Sequence, residues 1–117
     1  MKMYHYENCG TCRKARKWLD ERGIAYTLVP VREQPPTETE LKRMLKAVNG
    51  DIRKLFNTSG GDYKAMNMKE KLPQMTDAKA IALLAQHGNL VKRPFVIGKD
   101  LHLVGFREEE WKAVLHV

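Results

Sequence analysis

The chain has 117 residues, 43% hydrophobic and 30% charged, which fits one soluble globular domain spanning 1–117 with enough chain for a single core. No apolar run approaches the roughly 18 residues a membrane span needs, and no signal peptide precedes the first strand-like run, so a cytoplasmic location is expected. The net charge of +7 favours acidic partners, yet bases and acids are mixed, as in Lys69-Glu70-Lys71, and no reader motif accompanies them, so direct sequence-specific DNA binding is not expected.

Lys2 to Tyr6, aromatic and close to alternating, reads as a strand. Asn8-Cys9-Gly10-Thr11-Cys12-Arg13-Lys14 follows and holds both cysteines, spaced C-x-x-C. A helix is expected over Cys12 to Arg22, with Ala15, Trp18, Leu19 and Arg22 on one face and Gly23 as its stop. Strand, turn and helix start form the context in which C-x-x-C reads as a redox site. The first helical turn offers unpaired N–H groups and the positive end of the dipole. A thiolate there is stabilised and its pKa falls below the free value of about 8.5. Arg13, Lys14, Arg16 and Lys17 add positive charge. Cys9, ahead of the helix, is read as the nucleophile and Cys12, about one turn inward, as the resolving thiol. Two other readings stand beside this one. One is two buried, inert cysteines; the other is a structural zinc site, which wants four ligands, whereas His5, His87, His102 and His116 are scattered, so no metal is expected.

Ile24 to Val29 reads as a second strand, making a parallel β-α-β crossover. After a proline-containing connection, Thr37 and Glu40 form a capping box for a helix with Leu41, Met44, Leu45 and Val48 as its apolar stripe, ended by Gly50. Asp51 is expected to cap a shorter helical piece carrying Ile52, Leu55 and Phe56. Tyr63 to Leu72 reads as one short helix. Thr76 caps another running to about Gln86, with Ile81, Leu84 and Ala85 on its face and Gly88 as its stop. Phe95-Val96-Ile97 and Leu101 to Val104 read as strands joined by a Gly98-Lys99-Asp100 turn. Glu108, Glu109 and Glu110 then start a final helix with Trp111, Val114 and Leu115 buried. The order is β-α-β, a helical insert at about 37–88, then β-β-α.

That order, with C-x-x-C after the first strand, resembles an α/β thioredoxin-like fold with a helical insertion between its halves. Four stretches resemble the arsenate reductase/Spx family: Asn8 to Ala15, Asn57-Thr58-Ser59-Gly60, Lys92-Arg93-Pro94 and Val104-Gly105-Phe106. The resemblance covers essentially the whole chain. It implies a cis Arg93-Pro94 bond before the third strand, with Pro94 against the active cysteine. It also implies that Arg93 lies beside that cysteine, clamping an oxyanion or holding a thiolate. The glutathione-linked arsenate reductases place further arginines where this chain has Asn57 and Gly105. Arsenate reduction is therefore expected to be absent or very slow. Those enzymes use one cysteine in the loop, whereas this chain has the C-x-x-C of the Spx branch. Spx-type proteins are redox-switched transcription regulators that bind the RNA polymerase α subunit. Relative to that branch, the basic C-terminal extension is not expected, and the loop Asn57-Thr58-Ser59-Gly60 lacks the basic residues those regulators carry nearby.

The resulting expectation is a cytoplasmic thiol–disulfide oxidoreductase in which Cys9 attacks and Cys12 resolves. The backbone amides of Gly10, Thr11 and Cys12 would hold an anionic part of the substrate. Asn8 either orients the loop through its amide or is an ordinary turn residue. No bound cofactor is implied; an external thiol reductant resets the disulfide, either glutathione with glutaredoxin or thioredoxin. The alternative is a redox-sensing regulator partnered by the RNA polymerase α subunit, with residual arsenate reduction a third reading. A monomer is expected.

Overall fold

Residue alternation along two short strands decides how the molecule is layered. In the computed structural model, which describes all residues 1–117, β1 (Lys2–His5) and β3 (Phe95–Ile97) pair antiparallel at the centre of the sheet. β2 (Thr27–Pro30) pairs parallel with β1, and β4 (His102–Val104) pairs antiparallel with β3, giving the order β2-β1-β3-β4. Successive side chains of a strand point to opposite faces. Met3, Val96 and Leu103 accordingly join one apolar cluster, while Tyr4, Phe95 and Ile97 join the other.

On the first face lie α1 (Gly10–Glu21) and α6 (Glu108–Leu115). They contribute Ala15, Trp18, Leu19 and Trp111, and the Trp18 and Trp111 rings meet edge to face at 5.9 Å. On the other face the chain between β2 and β3 supplies α2 (Glu38–Ala47), α3 (Gly61–Ala65), α4 (Met68–Lys71) and α5 (Asp77–Gln86). These bring Leu41, Met44, Tyr63, Met68, Ile81 and Leu84 into the larger cluster. Both expected halves, β-α-β and β-β-α, are present around that helical segment.

Several elements end where local chemistry directs. Gly23 (φ 66°) closes α1 and Gly50 (φ 81°) follows α2, both in the left-handed region open to glycine. The capping box forms: Thr37 Oγ1 accepts from Glu40 N–H at 3.1 Å, and Glu40 accepts from Thr37 N–H at 3.0 Å. Thr76 Oγ1 likewise accepts from Lys79 N–H.

Other expectations are corrected. Helix α1 starts at Gly10, two residues before Cys12, because Cys9 itself is the N-cap. The second strand starts at Thr27 rather than Ile24. Arg22 lies outside the core but stacks its guanidinium 4.0 Å from the Trp18 ring centroid. The segment read as one helix from Tyr63 to Leu72 is broken, because Asn67 adopts φ 54° and ψ 41°, outside the right-handed helix. Asp51 precedes a single 3₁₀ turn and makes no side-chain cap; only its carbonyl accepts, from Lys54 N–H. Gly88 is not a helix stop but a point of close approach, since a Cβ there would stand 1.7 Å from the Val31 carbonyl oxygen. Val114 faces solvent, while Trp111 carries most of the burial of α6 and Leu115, one turn on, packs half-buried against the same cluster.

Candidate functional site

Because β1 and β2 run parallel, their carboxyl ends lie at one edge of the sheet. The chain leaving β1 turns at once, with Cys9 N–H donating to the Tyr6 carbonyl at 3.1 Å, and enters α1 at its N-terminus. Cys9 is extended (φ −94°, ψ 113°), half-buried, and its Sγ accepts the Cys12 N–H at 3.4 Å. Its carbonyl accepts the Arg13 N–H at 3.1 Å, the first bond of the helix. The sulfur thus takes the place that Ser or Asp oxygen fills at ordinary N-caps.

Cys12 is the opposite case. It is 0% exposed and unbridged. Burial pushes its thiol up to about 12, reinforced by the neighbouring Cys9 sulfur and opposed by a backbone hydrogen bond from Tyr6 and the charge of Arg93. The two sulfurs therefore differ in access, and Cys12 is the one whose burial holds its proton.

The remaining expected residues divide around this pair. Gly10 and Thr11 open α1 with exposed side-chain positions, but the Cys12 amide is already committed to the Cys9 sulfur rather than waiting for a substrate anion. Asn8 donates from Nδ2 to the Tyr6 hydroxyl at 3.2 Å, so its amide braces the loop against an aromatic ring. The Arg93-Pro94 bond is cis, and Pro94 is buried immediately before β3. Arg93 is half-buried, donates to the Asn89 carbonyl at 3.3 Å and lies 5.3 Å from the Tyr6 ring centroid. A second guanidinium, Arg32, lies 4.7 Å from the same centroid. Tyr6 is thus a shared platform for two cations and a hydrogen-bond partner for Asn8. Arg13 folds back to donate to the Glu7 carbonyl at 3.1 Å, away from the sulfur.

Sequence reasoning missed Tyr6 and Arg32, although a signal existed: Arg32 follows β2, whose carboxyl end must adjoin that of its parallel partner β1. It also missed a cavity of about 730 Å³ that Thr11 lines together with Arg53, Lys54, Lys92 and Arg107. Lys92 faces this cavity while its neighbour Arg93 packs on Tyr6, as adjacent residues of an extended segment do. Gly105 also lines it, with φ 74°, a conformation suited to glycine; Arg107, two residues on, supplies a cation that Gly105 does not. No group of three or more His, Cys, Asp or Glu side chains converges to hold a metal, and no helix is long and apolar enough to cross a membrane.

The comparisons with known proteins agree with this arrangement. The ArsC family model matches residues 4–114. The protein YusI of Bacillus subtilis is 43% identical over 109 residues, covering 93% of this chain and 92% of that protein. The global transcriptional regulator Spx of Bacillus subtilis is 26% identical over 113 residues, covering 97% and 85%. Among solved structures, an ArsC-family-related protein from Bacteroides fragilis superimposes with a TM-score of 0.89 at 44% identity, covering 97% of each chain. A possible arsenate reductase from Streptococcus mutans gives 0.86 at 32% identity, covering 95% and 96%. With a thioredoxin-like fold, a C-x-x-C pair at the head of α1 and a family match across nearly its whole length, the chain belongs to the ArsC family.

Proposed function

We propose that the protein is a cytoplasmic thiol–disulfide oxidoreductase, one domain over residues 1–117, in which Cys9 attacks and Cys12 resolves. The observation that carries this reading is the asymmetry of the pair. An accessible sulfur at a helix N-cap receives an N–H, and a buried thiol one turn inward holds its proton. Attack by the Cys9 thiolate on a substrate disulfide forms a mixed disulfide and expels one substrate thiolate. Cys12 then gives up its proton and attacks Cys9, releasing the second thiolate and leaving a Cys9–Cys12 disulfide. Two electrons pass from the protein to the substrate. An external thiol system, glutathione with glutaredoxin or thioredoxin, returns them. The protein acts as a monomer, with Arg93 beside the pair as anion holder and Asn8, Gly10, Thr11 and Pro94 shaping the loop.

The test is turnover of an uncharged model disulfide with dithiothreitol as reductant. Wild type is expected to accelerate the exchange and Cys9→Ser to abolish it; serine is a favoured N-cap, so α1 persists in the variant. Equal rates for the two proteins would overturn the reading. Asn57 and Gly105 supply no cation, so arsenate-dependent thiol oxidation is expected to be negligible. A rate near the enzymatic norm of about 1 per second or more would contradict this.

A second reading has its own support in the likeness to Spx. Oxidation of the same pair would then alter affinity for the RNA polymerase α subunit. Pulldown of that subunit by one redox state and not the other, with no turnover of disulfides, would favour it.

A further inference from the structure

Beside the cysteine loop, the cavity of about 730 Å³ brings together groups that no single stretch of sequence contains. Arg53 and Lys54 come from the 3₁₀ turn after α2, Lys92 from the segment before β3, and Arg107 from the residue ahead of α6. None of these four side chains is engaged in an ion pair. Asp51 and Glu110 also line the cavity, so cations outnumber anions four to two. Its apolar lining includes Phe56 and Phe106. Thr11, between the two cysteines, brings the cavity up to the cysteine loop, although neither cysteine lines it.

A compact inorganic oxyanion does not match such a space. Its volume falls in the range of about 300–1,000 Å³ that larger organic ligands fill. The four cations come from three separate segments of the chain. Part of the wall, Ala47 to Asn49, is the C-terminal end of α2, where carbonyl groups carry partial negative charge. Distributed cations over apolar patches suit an extended chain with carboxylates and an apolar side chain.

Building on the proposed exchange at Cys9, we infer that the substrate is a disulfide in an acidic, partly apolar segment of another protein, seated in this cavity. Asp or Glu side chains flanking the substrate cysteine meet Lys92, Arg107, Arg53 and Lys54. An apolar neighbour packs on Phe56 and Phe106. Cys9 then attacks the cysteine sulfur presented at Thr11, and the pair of electrons from the broken S–S bond leaves with the departing thiolate.

The probes are short peptides of one length carrying a 2-thiopyridyl disulfide on a central cysteine, flanked by Asp and Phe, Ser and Phe, or Lys and Phe. Attack by Cys9 on the cysteine sulfur releases thiopyridone, which is read by absorbance. At low salt the acidic peptide is expected to react about tenfold or more faster than the basic one, as charge steering allows. The ratio should shrink as salt is added. Lys92→Gln with Arg107→Gln should bring the ratio toward one, and Lys92→Arg with Arg107→Lys should retain it. Equal rates for all three peptides would overturn the acidic-segment inference while leaving Cys9 exchange intact. Release from none of them would instead overturn the exchange reading itself. The 2-thiopyridyl disulfide of glutathione is the small anionic control. If it reacts as fast as the acidic peptide, a protein segment is not what the cavity selects.

Discussion

A thiol that must wait for a mixed disulfide before it reacts should be hard to reach and slow to ionise on its own. Cys12 meets both conditions, being fully buried with its proton held up to about 12. Iodoacetamide at about pH 8, below the usual thiol range, is therefore expected to label Cys9 and leave Cys12 unmodified, as read by peptide mass spectrometry. Comparable labelling of Cys12 in the folded protein would contradict its assignment. The raised thiol has a consequence for stability as well. An unfolded cysteine ionises near 8.5, so the buried thiol's contribution is complete below that pH and declines as pH climbs toward about 12. Glu40 works in the other direction. Burial alone would raise its carboxyl, but hydrogen bonds from Lys2, Tyr4 and the Thr37 amide outweigh burial and hold it below the usual range. The Tyr4 hydroxyl donates to Oε1 at 2.7 Å, and Lys2 Nζ lies 2.6 Å from Oε2. Glu40→Ala leaves the Tyr4 hydroxyl buried without its acceptor and should cost about 2–3 kcal/mol at neutral pH. The half-exposed Lys2 adds little to that figure. Since the folded value is depressed, the carboxylate stabilises above about pH 4.3 and the contribution is lost as pH falls through its folded value. Denaturant unfolding of wild type and variant should therefore differ most at pH 7, with the gap narrowing as pH falls through the folded value. A constant gap would assign the effect to packing alone.

At the scale of elements, the fold depends on a few places where backbone meets backbone. The turn at Gly88, between α5 and β3, approaches the carbonyl of Val31 after β2, where a Cβ would overlap the oxygen at 1.7 Å. Gly88→Ala is expected to destabilise by about 3 kcal/mol or more, since backbone on both sides must move. Gly10→Ala is the matched control: a Cβ there meets nothing within 4 Å, and Gly10 is the first residue of α1. That variant should keep both its midpoint and its Cys9 labelling rate in the same experiment. Similar losses for the two would mean that the Val31 contact is not what constrains Gly88. Glu40 also belongs to this scale, because one carboxylate caps α2 and ties it to β1.

Across the whole molecule, the parts legible in the sequence are those fixed by neighbours in the chain. The Thr37–Glu40 box, the Gly98 to Leu101 turn and the apolar face of α1 are each written within a few residues. Cys9 and Cys12 were legible for the same reason. What stayed hidden depends on residues far apart in sequence. Gly88 looked like a helix stop because Val31, its actual constraint, lies more than fifty residues earlier. Tyr6 shows its role only once Arg32 and Arg93 arrive over its ring from two other elements. The cavity cations are not legible from the family's pattern, whose arginines fall at positions 57 and 105, because the fold supplies charge instead from Arg53, Lys54, Lys92 and Arg107. The break at Asn67 had a local cue, since asparagine tolerates the left-handed region, but the surrounding Met-Lys-Glu pattern reads as continuous helix.

The division of labour between the cysteines is tested most directly by stalling the exchange halfway. Cys12→Ala is preferred to serine because it places no hydroxyl in the space that Cys12 fills at 0% exposure. Reduced wild type and Cys12→Ala are each treated with a peptide disulfide, quenched in acid and analysed by intact and peptide mass spectrometry. Wild type is expected to pass to an internal Cys9–Cys12 disulfide. The variant should stop as a mixed disulfide on Cys9. A wild-type adduct that persists on Cys9 with Cys12 still reduced, or an adduct on Cys12 with Cys9 untouched, would contradict the assignment of attacker and resolver.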